Sequence, residues 1–389
     1  MYQDKYVFAQ LFALVNRYEF KKCVNRYQGN YRVRHFSCWQ QFLCMSFGQL
    51  THRSGLRDIV TCLNAHQNKL YHLGFTEGVK RSTLSDANEK RDWRIYADFA
   101  QVLIGQARQL ETGDDTGIEL DNVVYALDST TIELCLEVFW WARFRKHKAA
   151  VKLHTLLDVK REIPSFIHIT DGTFHDVKVL DLLEFEPDAF YVMDRGYTGL
   201  KGLYKIHRSG AFFVIRAKKD MAFQRLYSKP VDKSTGLRCD QIIRLKNYYA
   251  AKDYPEKLRR IKFYDTEHQV TYVYLTNHFE AEALQIVILY VNRWKVELFF
   301  KWIKQHLRIK RFWGESPNAV KTQIWIAICT FVLVAILKNK LKTQHSLYDI
   351  LQILSVSAFD KTPVNQLIMK IDDKNQEPPT SNQLNFFDL

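Results

Sequence analysis

The stretch LYVNRWKVELFFKWIKQHLRIKR, residues Leu289 to Arg311, contains seven lysines or arginines and a single carboxylate, Glu297. It has no proline or glycine, and most of its residues are acceptable in a helix, so it predicts one helix. At about 100° per residue, six side chains fall on one stripe roughly 80° wide: Tyr290, Arg293, Glu297, Lys301, Lys304 and Arg308. The remaining side chains are largely apolar, which predicts a helix that buries a broad face.

Helix geometry alone leaves two interpretations of this stripe open. In the first, it is a solvated face on which Glu297 forms i,i+4 ion pairs with Arg293 and Lys301. In the second, the cations follow a row of phosphates and the carboxylate binds a metal ion. Features elsewhere in the chain have to distinguish the two.

The composition favours a folded protein with a polyanionic partner. The chain has 389 residues, enough for two or three domains, and 47% of them are hydrophobic. The formal net charge of +14 favours nucleic acid as the partner. A membrane surface is the competing explanation, but the positive charge accompanies carboxylates rather than an amphipathic terminal segment.

The cysteines and the apolar runs favour a cytoplasmic protein without membrane contact. The N-terminus MYQDKYVFAQLF lacks the basic region and apolar core of a signal peptide. The seven cysteines include no C-x-x-C pair, which argues against a disulfide framework or structural zinc. The longest apolar run, Ile324 to Leu337, is too short to span a bilayer and predicts a buried helix.

Residues 1–112 predict a helical N-terminal domain, because apolar residues recur there at helical spacing and few strand signals occur. Basic residues are spread along this region: Arg32, Arg34, His52, Arg53, Arg57, Lys80 and Arg81. Such a module is a candidate for DNA binding. A plain helical bundle with a solvated surface is the alternative.

Residues 113–345 predict an α/β catalytic domain. Strand and helix patterns alternate there in the order β-β-β-α-β-α-β, which is typical of a mixed sheet with flanking helices. Further strand patterns at about 220–280 predict a β-rich insertion. Residues 346–389 predict a C-terminal helical segment and a loose polar tail.

Two aspartates end predicted strands, Asp128 in VVYALDSTT and Asp194 in FYVMDRGY. A carboxylate at the end of a buried strand is costly unless it is paired, caps a turn or binds a metal. One such aspartate is more often a turn residue, but two together with Glu297 suggest a shared site. Phosphodiester cleavage by two divalent metals needs several hard oxygen ligands and no cysteine or histidine.

Three segments resemble the acidic motifs of DDE transposases that have a ribonuclease H-like catalytic fold: DSTTIEL, YVMDRGYTG and YVNRWKVELFFKWIK. In the third segment, Tyr290, Arg293, Glu297 and Lys304 match the Y-R-E-K signature of the insertion-sequence-4 family. The long interval between Asp194 and Glu297 suits members of that family with a β-rich insertion before the glutamate helix. The resemblance covers about residues 120–340.

The resemblance implies that Asp128, Asp194 and Glu297 are the catalytic residues and the ligands of two divalent ions. The expected metal is Mg²⁺, with Mn²⁺ as a possible substitute. The resemblance also implies that Tyr290, Arg293 and Lys304 contact phosphates near the cleavage point.

Three further residues are expected to contact DNA. Lys301 belongs to the same row of cations. Arg195 follows Asp194 and is expected to touch the transferred strand, with a structural ion pair as the alternative. Trp294, at the edge of the stripe, could stack on an extruded base or pack into the core.

The function that the resemblance implies is transposition. The enzyme would cut a mobile DNA element at its terminal inverted repeats and join it to target DNA. It would act as a homodimer on double-stranded DNA, in the bacterial cytoplasm at the nucleoid. Two alternatives stay open: a ribonuclease H-fold nuclease that cuts without rejoining, and a transposase-derived DNA-binding protein without catalysis.

Overall fold

The structure is a computed structural model, and it describes residues 5–75, 77–110, 117–145, 148–218, 221–306 and 312–368. The chain divides into two compact units. The first contains residues 1–111 and 305–389, and the second contains residues 112–304. The sequence placed everything up to residue 345 in the catalytic domain, whereas the structure groups residues 305–345 with the N-terminal helices.

The described residues form thirteen α-helices. In chain order they are α1 Val7–Phe12, α2 Arg17–Arg26, α3 Cys38–Leu50, α4 Leu56–Ala65, α5 Arg81–Lys90, α6 Arg94–Arg108, α7 Val179–Leu182, α8 Leu200–Arg208, α9 Tyr248–Asp253, α10 Ala283–Val291, α11 Trp294–Lys301, α12 Pro317–Leu341 and α13 Leu347–Ser357. The first six and the last two belong to the first unit, and the other five belong to the second.

Ten strands of the second unit form one mixed sheet. They are β1 Val124–Leu134, β2 Arg143–Arg145, β3 Lys148–Asp158, β4 Ile163–Asp171, β5 Phe190–Met193, β6 Phe212–Arg216, β7 Phe223–Lys229, β8 Leu237–Leu245, β9 Leu258–Asp265 and β10 Val270–Thr276. The order along the sheet is β2-β3-β1-β5-β6-β10-β9-β8-β7, and β4 also pairs with β3.

The core of this sheet has the ribonuclease H-like strand order β4-β3-β1-β5-β6. Strands β1, β3 and β4 are antiparallel neighbours, and β1, β5 and β6 are parallel. The predicted mixed sheet with flanking helices is therefore confirmed. The four strands β7 to β10 occupy the predicted insertion, and β10 pairs with β6, so the insertion extends the same sheet.

The pleat of the central strands determines which side chains share a face. Leu127 of β1 and Met193 of β5 pack into a buried cluster with Leu203 and Ile206 of α8. Successive side chains of a strand point to opposite faces of the sheet, so the side chains of Leu127 and Asp128 lie on different faces. Asp128 therefore points away from α8.

The first unit is built around α12. This helix begins with Ser316 as its N-cap and Pro317 in its first turn, and it ends at Lys342, which has left-handed backbone dihedrals. It is long and apolar enough to cross a membrane, but 94% of its most apolar window is buried inside the protein. The prediction of a buried helix at Ile324–Leu337 is confirmed, although the helix extends further in both directions.

Candidate active site

The stretch Leu289–Arg311 is not the single helix that its composition predicts. Helix α10 ends at Val291, a turn contains Asn292 and Arg293, and α11 begins at Trp294. A π-helical turn, Trp302–His306, follows α11. Arg308 lies outside the described residues.

The break in the helix places Arg293 against a strand that is distant in sequence. Its guanidinium donates through Nη1 to Asp128 Oδ2 at 2.8 Å and through Nη2 to Glu297 Oε1 at 2.7 Å. The Arg293 side chain is only 13% exposed. A positive charge from the helix turn thus bridges the carboxylate of β1 and the carboxylate of α11.

Asp128 is held by hydrogen bonds at both carboxylate oxygens. The backbone amide of Ser129 donates to Oδ1 at 2.7 Å, and Arg293 donates to Oδ2. Burial raises the pKa of Asp128 to about 6, against the opposing effects of these two donors. The negative charges of Glu297 and Asp194 raise the pKa of Asp128 further, so both of these carboxylates lie within electrostatic range of Asp128.

Asp194 follows β5 directly and precedes a 3₁₀ turn at Arg195–Tyr197. It also acts on Tyr290, whose pKa is raised by burial first and by the charge of Asp194 as well. Tyr290 is 8% exposed, and its ring lies 4.8 Å from that of Tyr274. Its phenol is therefore largely enclosed, whereas the sequence suggested a phosphate contact.

The other predicted DNA contacts are differently placed. Lys304 donates through Nζ to the carbonyl oxygen of Thr131 on β1 at 2.8 Å. Lys301 is exposed, and Arg195 is half-buried and forms no ion pair with a described residue. The structural ion pair considered for Arg195 is thus not seen in the described part of the chain.

One face of α10 and α11 is unexpectedly exposed. Trp294 is 57% exposed, and Val291 and Leu298 on the same face are exposed as well. Core packing of Trp294 is therefore excluded, and the broad apolar face predicted for this stretch is not fully buried. Helical periodicity marks which side chains share a face but does not say whether another element covers it.

Sequence reasoning missed five polar residues beside Asp128, which we call the Asp176 network: Ser129, Lys152, His154, Asp176 and Tyr197. Ser129 Oγ donates to Asp176 Oδ1 at 2.5 Å, and Lys152 Nζ lies 2.9 Å from the same oxygen. Asp176 lies in a short 3₁₀ turn before α7, where no periodic pattern could have identified it. The only available signal was a carboxylate soon after the end of a strand.

The donor set suits a hard divalent cation, because Asp128, Asp194 and Glu297 offer only carboxylate oxygens. Among the described residues, no group of three or more carboxylate, imidazole or thiol side chains is closed tightly enough to hold an ion. The guanidinium of Arg293 lies between two of the three acids and supplies the positive charge that they need. The three side chains are therefore suitable ligands for a divalent metal ion by their chemistry. In this structure Arg293 bridges two of them, Asp128 and Glu297.

Comparison with known proteins identifies the family to which the chain belongs. Residues 119–333 match the family described as "Transposase DDE domain". The chain belongs to the DDE transposases. Residues 3–76 match a second family, described as "Domain of unknown function (DUF4372)".

Three relatives named as transposases extend the match. The protein y4zB of Sinorhizobium fredii is 30% identical over 65% of this chain and 70% of its own length. A transposase for the insertion sequence element IS5377 of Geobacillus stearothermophilus is 30% identical over 56% of this chain and 57% of its own. A transposase for the element IS4SA of Synechocystis is 23% identical over 73% of this chain and 80% of its own. The predicted resemblance to insertion-sequence transposases is confirmed.

A solved structure of the piggyBac transposase in a synaptic complex with hairpin DNA aligns with 97% of this chain and 83% of its own. The TM-score is 0.44 at 10% identity, which is too low to support an inference. Family membership rests on the sequence matches. It identifies the protein as a DDE transposase, a DNA-cleaving enzyme of a family that depends on divalent metal ions.

Proposed function

We propose that this DDE transposase cuts and joins DNA at the inverted-repeat ends of a mobile element, with Asp128, Asp194 and Glu297 as its catalytic carboxylates. The observation that carries the proposal is the convergence of Asp128 and Glu297 on one guanidinium, although they come from β1 and α11. Asp194 joins them through its effect on the pKa of Asp128. A solvated surface stripe would not bring together acids from three separate segments.

The proposed metal is Mg²⁺, with Mn²⁺ as a substitute, because three carboxylates and no cysteine or histidine form the donor set. When bound, such ions supply Lewis acidity and a nucleophilic oxygen for phosphodiester cleavage. Asp128, Asp194 and Glu297 would hold them. Arg293 neutralises two of these acids when no metal is bound, and it remains beside the site as a donor for phosphate oxygens.

The proposed DNA contacts use the side chains around these acids. Lys304 lies against β1 at Thr131, and Lys301 and Arg195 are accessible to phosphates. Tyr290 would act by supporting the guanidinium of Arg293, which lies 5.7 Å from its ring. Trp294 has a large exposed ring that can stack on a base displaced from the duplex.

The first unit offers a second surface for DNA, in line with the proposal that residues 1–112 bind the element ends. An open groove of about 970 Å³ lies between the segment 27–36 and the segment 75–92. Arg32, Arg34 and Lys80 line it, are exposed, and form no ion pair with a described residue. Tyr31, 66% exposed, lies beside them.

Two of the three acids that line this groove are paired with a lysine or arginine, and Glu77 lies near His35, which is charged only when protonated. Glu77 lies 3.9 Å from His35, Asp86 lies 3.4 Å from Lys90, and Asp92 lies 2.6 Å from Arg94. The three arginine and lysine side chains named above therefore outnumber Glu77, the one lining acid that pairs with no lysine or arginine among the described residues, and they make the groove net positive. A phosphate backbone is the ligand that such a surface attracts most simply.

The proposed active species is a homodimer, because two element ends have to be cut in concert. It would act on chromosomal and element DNA, which places it at the nucleoid of the bacterial cytoplasm. Sedimentation with end DNA tests the dimer: two protein chains per pair of ends are expected. A complex with one protein chain that still joins ends would exclude it.

Incubation of the protein with linear DNA carrying the element's ends tests the function. With Mg²⁺ we expect cleavage at the ends followed by joining to a target plasmid. Cleavage without joining would favour a nuclease of the same fold. Binding without cleavage in both Mg²⁺ and Mn²⁺ would refute the catalytic proposal.

A further inference from the structure

We propose that Asp176 is a positioning residue that fixes the orientation of the Asp128 carboxylate through Ser129. The inference rests on the proposed function, since it assumes that Asp128 holds a metal ion. It concerns a carboxylate on the other face of the sheet, away from α11. Nothing in the proposed chemistry assigns a role to that residue.

Ser129 connects the two acids directly. Its backbone amide donates to Asp128 Oδ1 at 2.7 Å, and its hydroxyl donates to Asp176 Oδ1 at 2.5 Å. A hydroxyl that donates to a carboxylate at this distance forms a strong, charge-assisted hydrogen bond. Because one residue makes both bonds, a change at Asp176 alters the position of the amide that holds Asp128.

Asp176 is itself anchored to the neighbouring strand. Lys152 Nζ lies 2.9 Å from Asp176 Oδ1 and donates to the carbonyl oxygen of Phe174 at 3.2 Å. The Lys152 side chain is largely buried, so this ammonium is fixed in place. His154 on the same strand is paired in register with Ser129 and lies beside Asp176. The Asp176 carboxylate thus ties the middle of β1 to β3.

The Asp176 network also reaches the second strand end. Tyr197 closes the 3₁₀ turn that follows Asp194, and its amide donates to the Asp194 carbonyl oxygen at 3.1 Å. Its ring is buried, and the charges of Asp128 and Asp176 both act on its hydroxyl, whose pKa is raised by burial first. The Asp176 network therefore contacts the segments that carry two of the three catalytic acids.

Metal affinity is the property that a positioning role should change. Residues that orient metal ligands typically alter affinity by about 10- to 100-fold when they are replaced. We therefore expect Asp176→Asn and Ser129→Ala to weaken Mn²⁺ binding by about 10-fold. Ser129→Thr, which restores a hydroxyl, should bind Mn²⁺ like the parent. Asp171→Asn is the matched control, because Asp171 is an exposed carboxylate whose hydrogen bonds stay within its own turn, with Thr173 and the backbone of Phe174.

The experiment measures free Mn²⁺ by electron paramagnetic resonance, using the full chain bound to a pre-cut DNA end. Thermal unfolding is measured in parallel, and Ser129→Ala decides the question if Asp176→Asn does not fold. A lower melting temperature with parental Mn²⁺ affinity in both variants would show a purely structural role and overturn the inference. If the parental protein bound no Mn²⁺, both the proposed function and this inference would fail. If Ser129→Ala bound Mn²⁺ as tightly as the parent, only this inference would be refuted.

Discussion

Arg293 donates to Asp128 at 2.8 Å across 165 residues of sequence. This contact joins the turn before α11 to the middle of the strand β1, and the same guanidinium holds Glu297. In a partly buried site, a cation between two acids removes most of their mutual repulsion. The contact therefore explains how Asp128 and Glu297 can lie close together without a metal ion.

Replacement of Arg293 should make the protein depend on metal for stability. In Arg293→Gln, two neighbouring carboxylates lose their shared partner, which should cost about 2 kcal/mol in metal-free buffer. Added Mn²⁺ should restore part of this loss, since it supplies the missing charge. Thermal unfolding with EDTA and with Mn²⁺ measures both effects. Arg195→Gln is the control, and an equal response of the two variants to Mn²⁺ would contradict this explanation.

The pH dependence of stability should report the ionisation of Asp128. Its pKa is about 6 in the folded protein and has an ordinary value of 3.8. Between these values the unfolded chain has already released the proton, so unfolding becomes more favourable as pH rises, by about 3 kcal/mol in total. Asp128→Asn cannot titrate and should escape this loss.

Urea denaturation in EDTA at pH 4 and pH 7 measures this effect. The stability of Asp128→Asn relative to the parent should increase between the two pH values. If the difference in stability between Asp128→Asn and the parent were the same at pH 4 and pH 7, the pKa of Asp128 would be the same in the folded protein and in the unfolded chain.

The sequence was sufficient to nominate the three acids but not to describe their surroundings. Asp128 and Asp194 were singled out because each follows an apolar run, and Glu297 because it is isolated among cations. The expectation that both aspartates end strands is right for Asp194 and wrong for Asp128, since β1 continues past it to Leu134. The break at Asn292 and Arg293 could not be found, since neither residue is a strong helix breaker and the contact with Asp128 is made across the fold. Asp176 and Ser129 were missed for the same reason: their bond joins a turn to a strand 47 residues away.

Trp294 should contribute to activity and not to stability. Its ring is 57% exposed, so Trp294→Ala should change the unfolding free energy by less than about 0.5 kcal/mol. If the ring stacks on a displaced base, end cleavage should fall by about 10-fold or more, because such stacking contributes about 1–3 kcal/mol. Leu298→Ala on the same exposed face is the control. Equal cleavage by both variants would exclude stacking.

The groove of the first unit should contribute to DNA binding independently of catalysis. Arg32→Gln, Arg34→Gln and Lys80→Gln combined should weaken binding to end DNA and reduce its salt dependence by about three ions. The control removes three exposed cations outside the groove: Lys21, Lys340 and Lys361. Fluorescence anisotropy in Ca²⁺ over a range of salt concentrations gives both slopes. Identical slopes for the two triple variants would exclude the groove as a specific phosphate-binding surface.

Glu297 provides the most direct test of the carboxylate mechanism. Glu297→Gln keeps the shape of the side chain and an oxygen for Arg293, but it removes the charge that a divalent ion requires. Cleavage should fall by about 1,000-fold or more, as expected when one member of a cooperative site is lost. Asp128→Asn and Asp194→Asn should behave alike, and double variants should be no worse than single ones. DNA binding should persist, because a negative charge near phosphate has been removed.

Glu162→Gln is a closely matched control for this test. Glu162 is as exposed as Glu297. It pairs at 2.8 Å with Lys295, which lies on α11 together with Glu297. A surface ion pair of this kind contributes at most about 1 kcal/mol to stability, so its loss should leave turnover intact. Metal-dependent cleavage of end DNA is measured for both variants, with binding followed in Ca²⁺. If Glu297→Gln cleaved at the rate of Glu162→Gln, Glu297 would be only the ion-pair partner of Arg293, and the metal site would have to be sought elsewhere.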